Sequence, residues 1–354
     1  MIRRGLFLKN GPQYNPFIFE VTVNASDVIP LPLTNGFNYN FTVDWGDGNQ
    51  SDVTAHDDVD ASHTYTSGGT YEIKINGVCE SFRVGNNISL RTKITKITQW
   101  GSVGFTAFNM AGCSLMTITA TDIFDTSLIT SFTDLFSSCS SISSIPNINS
   151  WDVSKVTNFL RCFISASNFN DNIGSWDVSS CSNFQEMFDG ASSFNNGGSD
   201  TIKDWDVSKG SNFVEMFRSA SSFNQPLNWS FKTSGTISAQ NMFRLATNFN
   251  QNIGSWNTER FTNMREMFKQ SSVFNQDLSN WDISLVTNMI EFARLANFSD
   301  ANWDSMLNAW AALTTPPSNI TMTINATHTA AAQTAFDTLD TTYNWSIGEN
   351  NVNP

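Results

Sequence analysis

Apolar side chains recur at a fixed spacing through the middle of the chain, from residue 132 to residue 298. They form quartets at positions i, i+3, i+4 and i+7, which place four side chains on one face of about two helical turns. Each quartet therefore predicts a short amphipathic helix. A period of about 25 residues predicts stacked repeats that bury one another's apolar faces. The quartets begin at Phe132, Phe159, Phe184, Phe213, Ala239, Met264 and Met289, with successive steps of 27, 25, 29, 26, 25 and 25 residues.

Two further motifs frame each predicted helix. A Thr-Asn or Ser-Asn pair, such as Thr157-Asn158, precedes several quartets, and its side chains suit an N-terminal cap. The sequence Trp-Asp-Val-Ser at 151–154 and 176–179 alternates apolar and polar residues, which predicts a short strand. We expect the recurring tryptophans to stack between repeats. They include Trp176, Trp205, Trp256 and Trp281.

Polar side chains also fall into columns. An Asn follows a buried Phe in five repeats, as at Asn170, and is predicted to bond the backbone of its own repeat and the next. The aspartates that follow tryptophan are candidate binding residues, either as local Asx turns or as ligands of a cation held between repeats. These are Asp152, Asp177, Asp206 and Asp282. The 29-residue step contains an extra loop with two more candidates, Asn196 and Asp200, because insertions often lie on a binding face.

The segments 170–188 and 250–268 resemble the repeat of the BspA-like leucine-rich-repeat surface proteins, which reads Phe-Asn-Gln, then Trp-Asp-Val-Ser-x-Val-Thr-Asn-Met-x-x-Met-Phe. The resemblance extends over more than half of the chain. It implies a leucine-rich-repeat-like solenoid and a location on a surface.

Residues 17–85 have a different pattern. Phe17–Val23 and Tyr39–Val43 alternate as strands do. A Trp-Gly-Asp-Gly turn, a His-Thr-Tyr motif and a Gly-x-Tyr-x-Ile motif follow in order, and together they resemble a PKD-type β-sandwich. The resemblance implies structural roles for Trp45, Asp47, His63 and Tyr65, with His63 bonding across the sandwich. Asp44 and Asp47 either form the turn or hold Ca²⁺.

The chain is therefore predicted to be multidomain: an all-β immunoglobulin-like (PKD) sandwich, then an α/β leucine-rich-repeat-like solenoid with an α+β C-terminal cap. The predicted boundaries are 1–16 for an N-terminal arm, 17–85 for the sandwich, 86–131 for an entry segment with a degenerate first repeat, 132–298 for the solenoid and 299–354 for the cap. In the cap, 303–310 and 330–336 are predicted helices, and 320–324 and 343–347 are predicted strands.

Composition excludes some functions and restricts others. A net charge of −13 argues against nucleic acid as a partner, since few basic residues can neutralise phosphates. No apolar run approaches the ~18 residues of a membrane span. The five cysteines form no Cys-x-x-Cys pair and are predicted to be buried free thiols; stacking of Cys113 near Cys139 is the alternative.

The sequence favours a non-enzymatic protein without a cofactor, apart from the Ca²⁺ alternative. The three histidines lack metal-ligand spacing, and no nucleophile elbow or phosphate-binding loop is present. A carbohydrate-active enzyme is the second alternative, because two carboxylates suffice for glycoside hydrolysis.

Two placements remain. The first 12 residues lack the apolar core of a secretory signal, which favours a virion surface protein: a phage head decoration, fibre or tail-attached adhesin. Its arm would dock on capsid or tail proteins through Arg3, Arg4 and Lys9; an ordinary solvated tail is the alternative for these residues. Its repeats would bind a host-surface protein or glycan. A bacterial cell-surface adhesin is the alternative. A homo-oligomer is compatible with either placement.

Overall fold

The computed structural model describes residues 14–349. The predicted anchoring residues Arg3, Arg4 and Lys9 lie outside this range. The α-helices are α1 (Ile88–Arg91), α2 (Asp300–Ala311) and α3 (Gln333–Tyr343). Short 3-10 helices span Val59–Ala61, Val84–Asn86, Ile148–Ser150, Asn196–Gly198 and Asp200–Asp204. The strands are β1 (Phe17–Val23), β2 (Val28–Pro30), β3 (Tyr39–Asp44), β4 (Gln50–Val53), β5 (Ser62–Thr64), β6 (Gly69–Cys79), β7 (Ser81–Arg83), β8 (Ile94–Gln99), β9 (Ala107–Asn109), β10 (Thr117–Ile118), β11 (Ile237–Ser238), β12 (Phe261–Asn263), β13 (Met289–Ala293), β14 (Thr321–Ile324) and β15 (Ser346–Glu349).

A six-stranded sheet in the order β10-β8-β1-β6-β3-β4 forms the N-terminal part. Neighbours are antiparallel except β8 and β10, which are parallel. The alternation in β1 buries Phe17, Phe19, Val21 and Val23 on one face of the sheet. Two small sheets, β2-β5 and β7-β9, accompany it.

The predicted all-β sandwich over 17–85 is wrong as a fold class. The main sheet continues past residue 85, because β8 pairs with β1 and β10 pairs with β8. It is a mixed sheet that the segment after residue 85 helps to build, and within residues 14–349 it closes neither on itself nor on a second sheet of similar size. The alternating pattern identified strands correctly, but it carries no information about which distant strands pair.

The predicted helices of the repeats are wrong as well. Each quartet lies in an eight-residue segment, such as 159–166, that forms two successive four-residue turns. Cys162 N–H donates to Phe159 O at 3.0 Å, and Ala166 N–H donates to Phe163 O at 3.0 Å. The third and seventh residues of the segment have a positive φ, 54° at Arg161 and 56° at Ser165.

These turns direct every second N–H toward the next repeat. In the segment 159–166, residues 159, 161, 163 and 165 donate to carbonyls of residues 183, 185, 187 and 189 at 2.7–3.0 Å. An α-helix over the same residues would bond the N–H groups of residues 163 and 165 internally and direct those of its first turn along the helix axis. It could not present all four to a neighbouring repeat. A non-Gly residue at positive φ costs on the order of 1–3 kcal/mol, and the bonds between repeats offset that cost.

The predicted α/β leucine-rich-repeat-like solenoid is corrected accordingly. Within 132–298, all of which the structure describes, there is no α-helix and no continuous sheet along the repeats. Parallel pairing between successive repeats is confined to single bridges, such as Asn158 with Asn183, and to the short pair β11-β12. The segments 151–154 and 176–179 form no strand; their backbone is irregular up to a turn that begins at Ser154 and at Ser179. We call the region 132–298 the repeat stack.

Aromatic rings fill the interior of the repeat stack in columns. One column contains Phe163, Phe188, Phe217, Phe243 and Phe268, whose successive ring centroids lie 5.6–5.7 Å apart. These side chains are fully buried. The quartet pattern therefore identified the buried face correctly, although the backbone beneath it is not helical.

Side-chain hydrogen bonds join the repeats at their edges. The Oδ1 of Asn195 accepts from the N–H of Asn224 at 2.9 Å, and Asn224 does the same for Asn250 at 3.0 Å. The predicted bond from the Asn column to the next repeat is thereby confirmed. Trp256 Nε1 donates to Leu227 O of the preceding repeat at 2.8 Å. The five cysteines are free and buried, as predicted.

The C-terminal part is a parallel sheet in the order β13-β14-β15, with α2 and α3 as its crossover helices. Ser299 caps α2 by accepting the N–H of Asn302 at 3.3 Å. Helix α3 extends to Tyr343, so the strand predicted for 343–347 begins only at Ser346. Within residues 14–349, no helix combines the length and apolar character that crossing a membrane requires.

Candidate binding surfaces

The four candidate aspartates of the repeat stack form local turns. The Oδ1 atoms of Asp152, Asp177, Asp206 and Asp282 each accept the N–H two residues later at 2.8–3.0 Å. Asp282 is half-buried and the other three are exposed. Hydrogen bonds from Ser154 and Ser208 lower the pKa values of Asp152 and Asp206. The Asx-turn interpretation is confirmed for this column.

The two candidates in the insertion lie in different environments. Asn196 is fully buried, where its Oδ1 accepts from Ile173 N at 2.9 Å and its Nδ2 donates to Ser199 O at 2.8 Å. Its amide therefore holds the insertion against the preceding repeat and is not presented to a ligand. Asp200 is exposed and forms an ion pair with Lys203.

Another surface of the repeat stack was not predicted. The second, third, sixth and seventh residues of each eight-residue segment point away from the aromatic columns, and we call their surface in the five segments from 184 to 296 the charged face. Five acidic and five basic residues occupy it, so it is formally neutral in a chain of net charge −13. They are Glu186, Asp189, Glu215, Glu266 and Glu291, with Arg218, Arg244, Arg265, Lys269 and Arg294.

Ion pairs between neighbouring segments organise the charged face. Arg218 forms a two-pronged pair with Asp189 of the preceding repeat, at 2.8 Å from Nε to Oδ1 and 2.6 Å from Nη2 to Oδ2. Glu266 is buried and forms ion pairs with Arg244 at 3.3 Å, Arg265 at 2.9 Å and Lys269 at 3.1 Å. Such a network fixes long side chains in place, which isolated surface pairs rarely do.

The environment shifts the pKa values of the two buried carboxylates of this face, Asp189 and Glu266, in opposite directions. Burial raises the pKa of Asp189, and the hydrogen bond from Arg218 offsets only part of this effect. Burial also raises the pKa of Glu266, but hydrogen bonds from Arg265 and Lys269 outweigh it, so the pKa falls below its usual value. Registering the segments on their quartets and reading the third and sixth positions would have revealed the charged face from sequence.

The motif residues of the N-terminal part come together as a packed cluster. His63 Nε2 lies 2.7 Å from Asp47 Oδ2, and the His63 ring stacks on Trp45 with centroids 5.1 Å apart. Tyr65 donates its hydroxyl proton to Trp45 O at 2.8 Å. Burial raises the pKa of Asp47, but hydrogen bonds from His63 and Asn49 outweigh it and lower the pKa. These contacts give the four residues a structural role.

The carboxylates proposed for Ca²⁺ already have partners. Asp44 Oδ1 accepts from Gly46 N at 3.0 Å, and Asp47 is bonded to His63 and Asn49. In the part of the chain that the structure describes, no three His, Cys, Asp or Glu side chains are grouped so as to hold a metal ion. The two aspartates act as turn residues here.

Comparison with known proteins gives one match. No curated protein and no solved structure matches the chain. The family described as "Mycoplasma protein of unknown function, DUF285" matches residues 106–229 and again residues 198–310, which together cover more than half of the chain. The protein therefore belongs to this family.

Proposed function

We propose that the protein is a non-enzymatic attachment protein whose charged face binds a partner on another surface. The observation that carries the proposal is the composition of this face, where equal numbers of acids and bases occur in a chain of net charge −13. Most cell surfaces are acidic. The charged face exerts no net repulsion on such a surface, whereas the remainder of the molecule, which carries the net negative charge, repels it. The ion pairs hold the side chains in a fixed arrangement before binding, which lowers the entropic cost of association.

Repetition favours a partner with repeated features. Equivalent side chains appear once per repeat, so several weak contacts can form together and raise the overall affinity without any strong single contact. A host-surface protein or glycan has this property. No step of this function requires a cofactor, and the Ca²⁺ alternative stays a prediction.

The proposed placement is the virion surface, as a head decoration, fibre or tail-attached protein that docks through its N-terminal region on capsid or tail proteins. The match to a family described as Mycoplasma proteins is the specific observation that favours the alternative, an adhesin on a bacterial cell surface. The sequence resemblance of the repeats to BspA-like surface proteins supports display on a surface in either case.

Immunogold electron microscopy of the native source, with antibody against residues 17–85, separates the placements. Label on capsids or tails is the expected result, and label on cell envelopes would establish the adhesin instead. Label confined to the cell interior would contradict both. The same grids without primary antibody provide the background.

Attachment itself is tested by binding of the purified protein to host cells. Arg265, whose side chain is 46% exposed, and Ile290, at 42%, are the accessible residues of the last two segments of the charged face. The double variant Arg265→Glu, Ile290→Asp should bind at least about tenfold more weakly, because it adds charge repulsion and removes apolar contact. Lys209→Gln, outside the charged face, is the control. Equal binding by all three proteins would sink the proposal.

A further inference from the structure

A small polar cavity of about 190 Å³ lies where the N-terminal part meets the first repeat. Three separate stretches of sequence line it: residues 83–91, residues 109–111 at and just after the end of β9, and the first eight-residue segment of the repeat stack. The lining residues are Arg83, Gly85, Arg91, Asn109, Ala111, Asp134 and Ser137. None of them belongs to the charged face or to the aspartate column.

The backbone leaves room for Arg91 at this point. Gly112 has a φ of 83°, and a Cβ atom there would stand 2.5 Å from Arg91 Cδ and 2.9 Å from Arg91 Nε. A side chain at residue 112 would therefore displace the arginine. The Nε of Arg91 is buried and has no hydrogen-bond partner among the described residues. A buried donor without a partner costs about 1–3 kcal/mol, which a small shift of the Arg91 side chain toward an acceptor in the cavity would recover.

A second donor comes from Asn109, a buried residue with 4% exposure. The Oδ1 of Asn109 accepts the N–H of Gly85 at 3.0 Å, and this bond fixes the orientation of the amide. Its Nδ2 has no protein partner among the described residues, so both N–H groups remain available in the cavity wall.

The charges around the cavity are unbalanced in favour of cations. Neither Arg83 nor Arg91 forms an ion pair with any carboxylate within residues 14–349. The one carboxylate in the wall, Asp134, is occupied by Arg161, with 2.8 Å from Nε to Oδ1 and 3.1 Å from Nη2 to Oδ2. Two unpaired guanidinium groups at one cavity are unexpected in a chain with 32 acidic and 19 basic residues.

We infer that this cavity binds one oxyanion group, a sulfate or a carboxylate, carried by an acidic sugar. Guanidinium groups recognise planar carboxylates and sulfate-like oxyanions through paired N–H donors. The side-chain amide of Asn109 can donate a further hydrogen bond to the same anion from another side of the cavity. The volume is below the roughly 300–1,000 Å³ of sites for drug-sized ligands, so one small group fits and an extended ligand does not.

The surroundings favour a sugar over a polyanion. A net charge of −13 repels chains with a charge on every unit, such as nucleic acid, but allows a single anionic group to approach. An open cleft of about 570 Å³ adjoins the cavity through Arg83, and Leu31, Pro32, Leu33 and Ile88 supply its apolar wall. The apolar face of a sugar ring can pack there while its charged group enters the cavity.

The inference does not rest on the attachment function, because the cavity shares no residue with the charged face. Anion binding is measured directly on the purified protein. Inorganic sulfate and acetate are titrated at constant ionic strength with chloride as the balancing anion, and NMR follows Arg91 Nε–H and the Asn109 side-chain amide. We expect saturable shifts of both signals. Arg91→Gln and Arg83→Gln should weaken binding at least about tenfold, and Arg91→Lys should weaken it less because the charge remains. Lys209→Gln should match the parent protein.

Glucuronate and glucose 6-sulfate, compared with glucose, test the sugar. The acidic sugars should bind more tightly than the free anions and should also shift signals of Leu31 and Leu33, whereas glucose should not bind. If no anion gives a saturable shift, or if Arg91→Gln binds as the parent does, the oxyanion site is refuted. If the free anions bind and the acidic sugars bind no better, the assignment to a sugar is refuted.

Discussion

The N-terminal sheet and the repeat stack achieve the same degree of burial by different means. In the sheet, Phe19 lies on a regular strand and faces Ile73, a residue far away in sequence, through an antiparallel register. In the repeat stack, Phe217 lies on a turn and faces its own counterparts, Phe188 and Phe243. Both phenylalanines are fully buried. Complete burial and lateral hydrogen bonding therefore do not require regular strands or helices when each position recurs in register.

Removal of a ring from the middle of the repeat stack should have the largest effect. Phe217 contacts rings on three sides, with centroids 5.6 Å away at Phe188 and Phe243 and 4.1 Å away at Phe223. Phe217→Ala should lower the free energy of unfolding by about 3–5 kcal/mol, because the cavity cannot close between stacked rings. Trp205→Ala should cost a similar amount.

Chemical denaturation measures this effect, with Phe19→Ala in the sheet as the matched variant. The two Phe→Ala substitutions should lower the free energy of unfolding by comparable amounts if the repeat stack is packed as tightly as the sheet. A loss below about 1 kcal/mol for Phe217→Ala would contradict tight packing of the rings.

A matched pair of tryptophans isolates one hydrogen bond of the repeat stack. Trp256 Nε1 donates to Leu227 O at 2.8 Å, whereas the equivalent Nε1 of Trp151, at the start of the stack, is buried without a partner among residues 14–349. Trp256→Phe leaves a buried carbonyl with one bond fewer, and Trp151→Phe removes an unpaired donor. The first variant should be less stable than the second by about 1–3 kcal/mol in thermal or chemical unfolding. Equal losses would show that the bond contributes nothing.

Glycine should have opposite effects in the two regions. Ser165 has a φ of 56°, and the seventh position of the next segment is occupied naturally by Gly190, with a φ of 69°. Ser165→Gly should raise the free energy of unfolding by about 0.5–1 kcal/mol, because relief of the left-handed conformation exceeds the entropic cost of glycine. Gly190→Ala should lower it by about 1 kcal/mol. Thr22→Gly in β1, where φ is extended, should be destabilising.

Calorimetry of these three variants tests whether the positive-φ residues of the turns are strained. A loss of stability for Ser165→Gly would show that the turns carry no conformational strain.

The smallest effect is expected from pH, at the C-terminal sheet. Burial lowers the pKa of His328, but hydrogen bonds to Glu349 and Gln333 outweigh it and raise the pKa above its usual value. A raised pKa in the folded state means that the protonated histidine stabilises the fold. This contribution is complete below the unfolded-state pKa of about 6.5 and is lost as the pH rises through the folded-state value.

Hydrogen exchange of the β15 amides, corrected for intrinsic rates, should therefore accelerate above this range. His328→Gln should remove the pH dependence and leave the exchange of β1, in the N-terminal sheet, unchanged. A pH-independent β15 in the parent protein would contradict the role of His328.

The sequence predicted which side chains are buried better than it predicted the backbone. Phe213, Met216, Phe217 and Ala220 are all fully buried, as their spacing indicated. Over eight residues, however, a helix of 3.6 residues per turn and two turns of four residues place the same positions on one face. Only the backbone distinguishes them, through positive φ at residues such as Glu215 and Ser219. These residue types give no warning of a left-handed conformation, since Gly190 is the only glycine at such a position.

For the candidate binding surfaces, too, the sequence predicted local contacts better than contacts between distant residues. The turn-forming role of Asp206 is local, and its spacing to Ser208 was sufficient to predict it. The oxyanion cavity, in contrast, brings together Arg83, Arg91 and Asn109 from different elements. No periodicity connects these residues, so only the tertiary structure reveals their proximity.

The direction of the lateral hydrogen bonds has a consequence for the evolution of the chain. Alternate N–H groups of each segment meet carbonyls of the following one, so every repeat presents the same donors on one side and the same acceptors on the other. Loss of residues 239–263 would bring the segment 213–220 against 264–271 with an equivalent set of groups. In-frame duplication or deletion can therefore lengthen or shorten the molecule by one repeat at a time. The distance between the first repeat and the C-terminal sheet can thus change during evolution without a change in the packing between repeats.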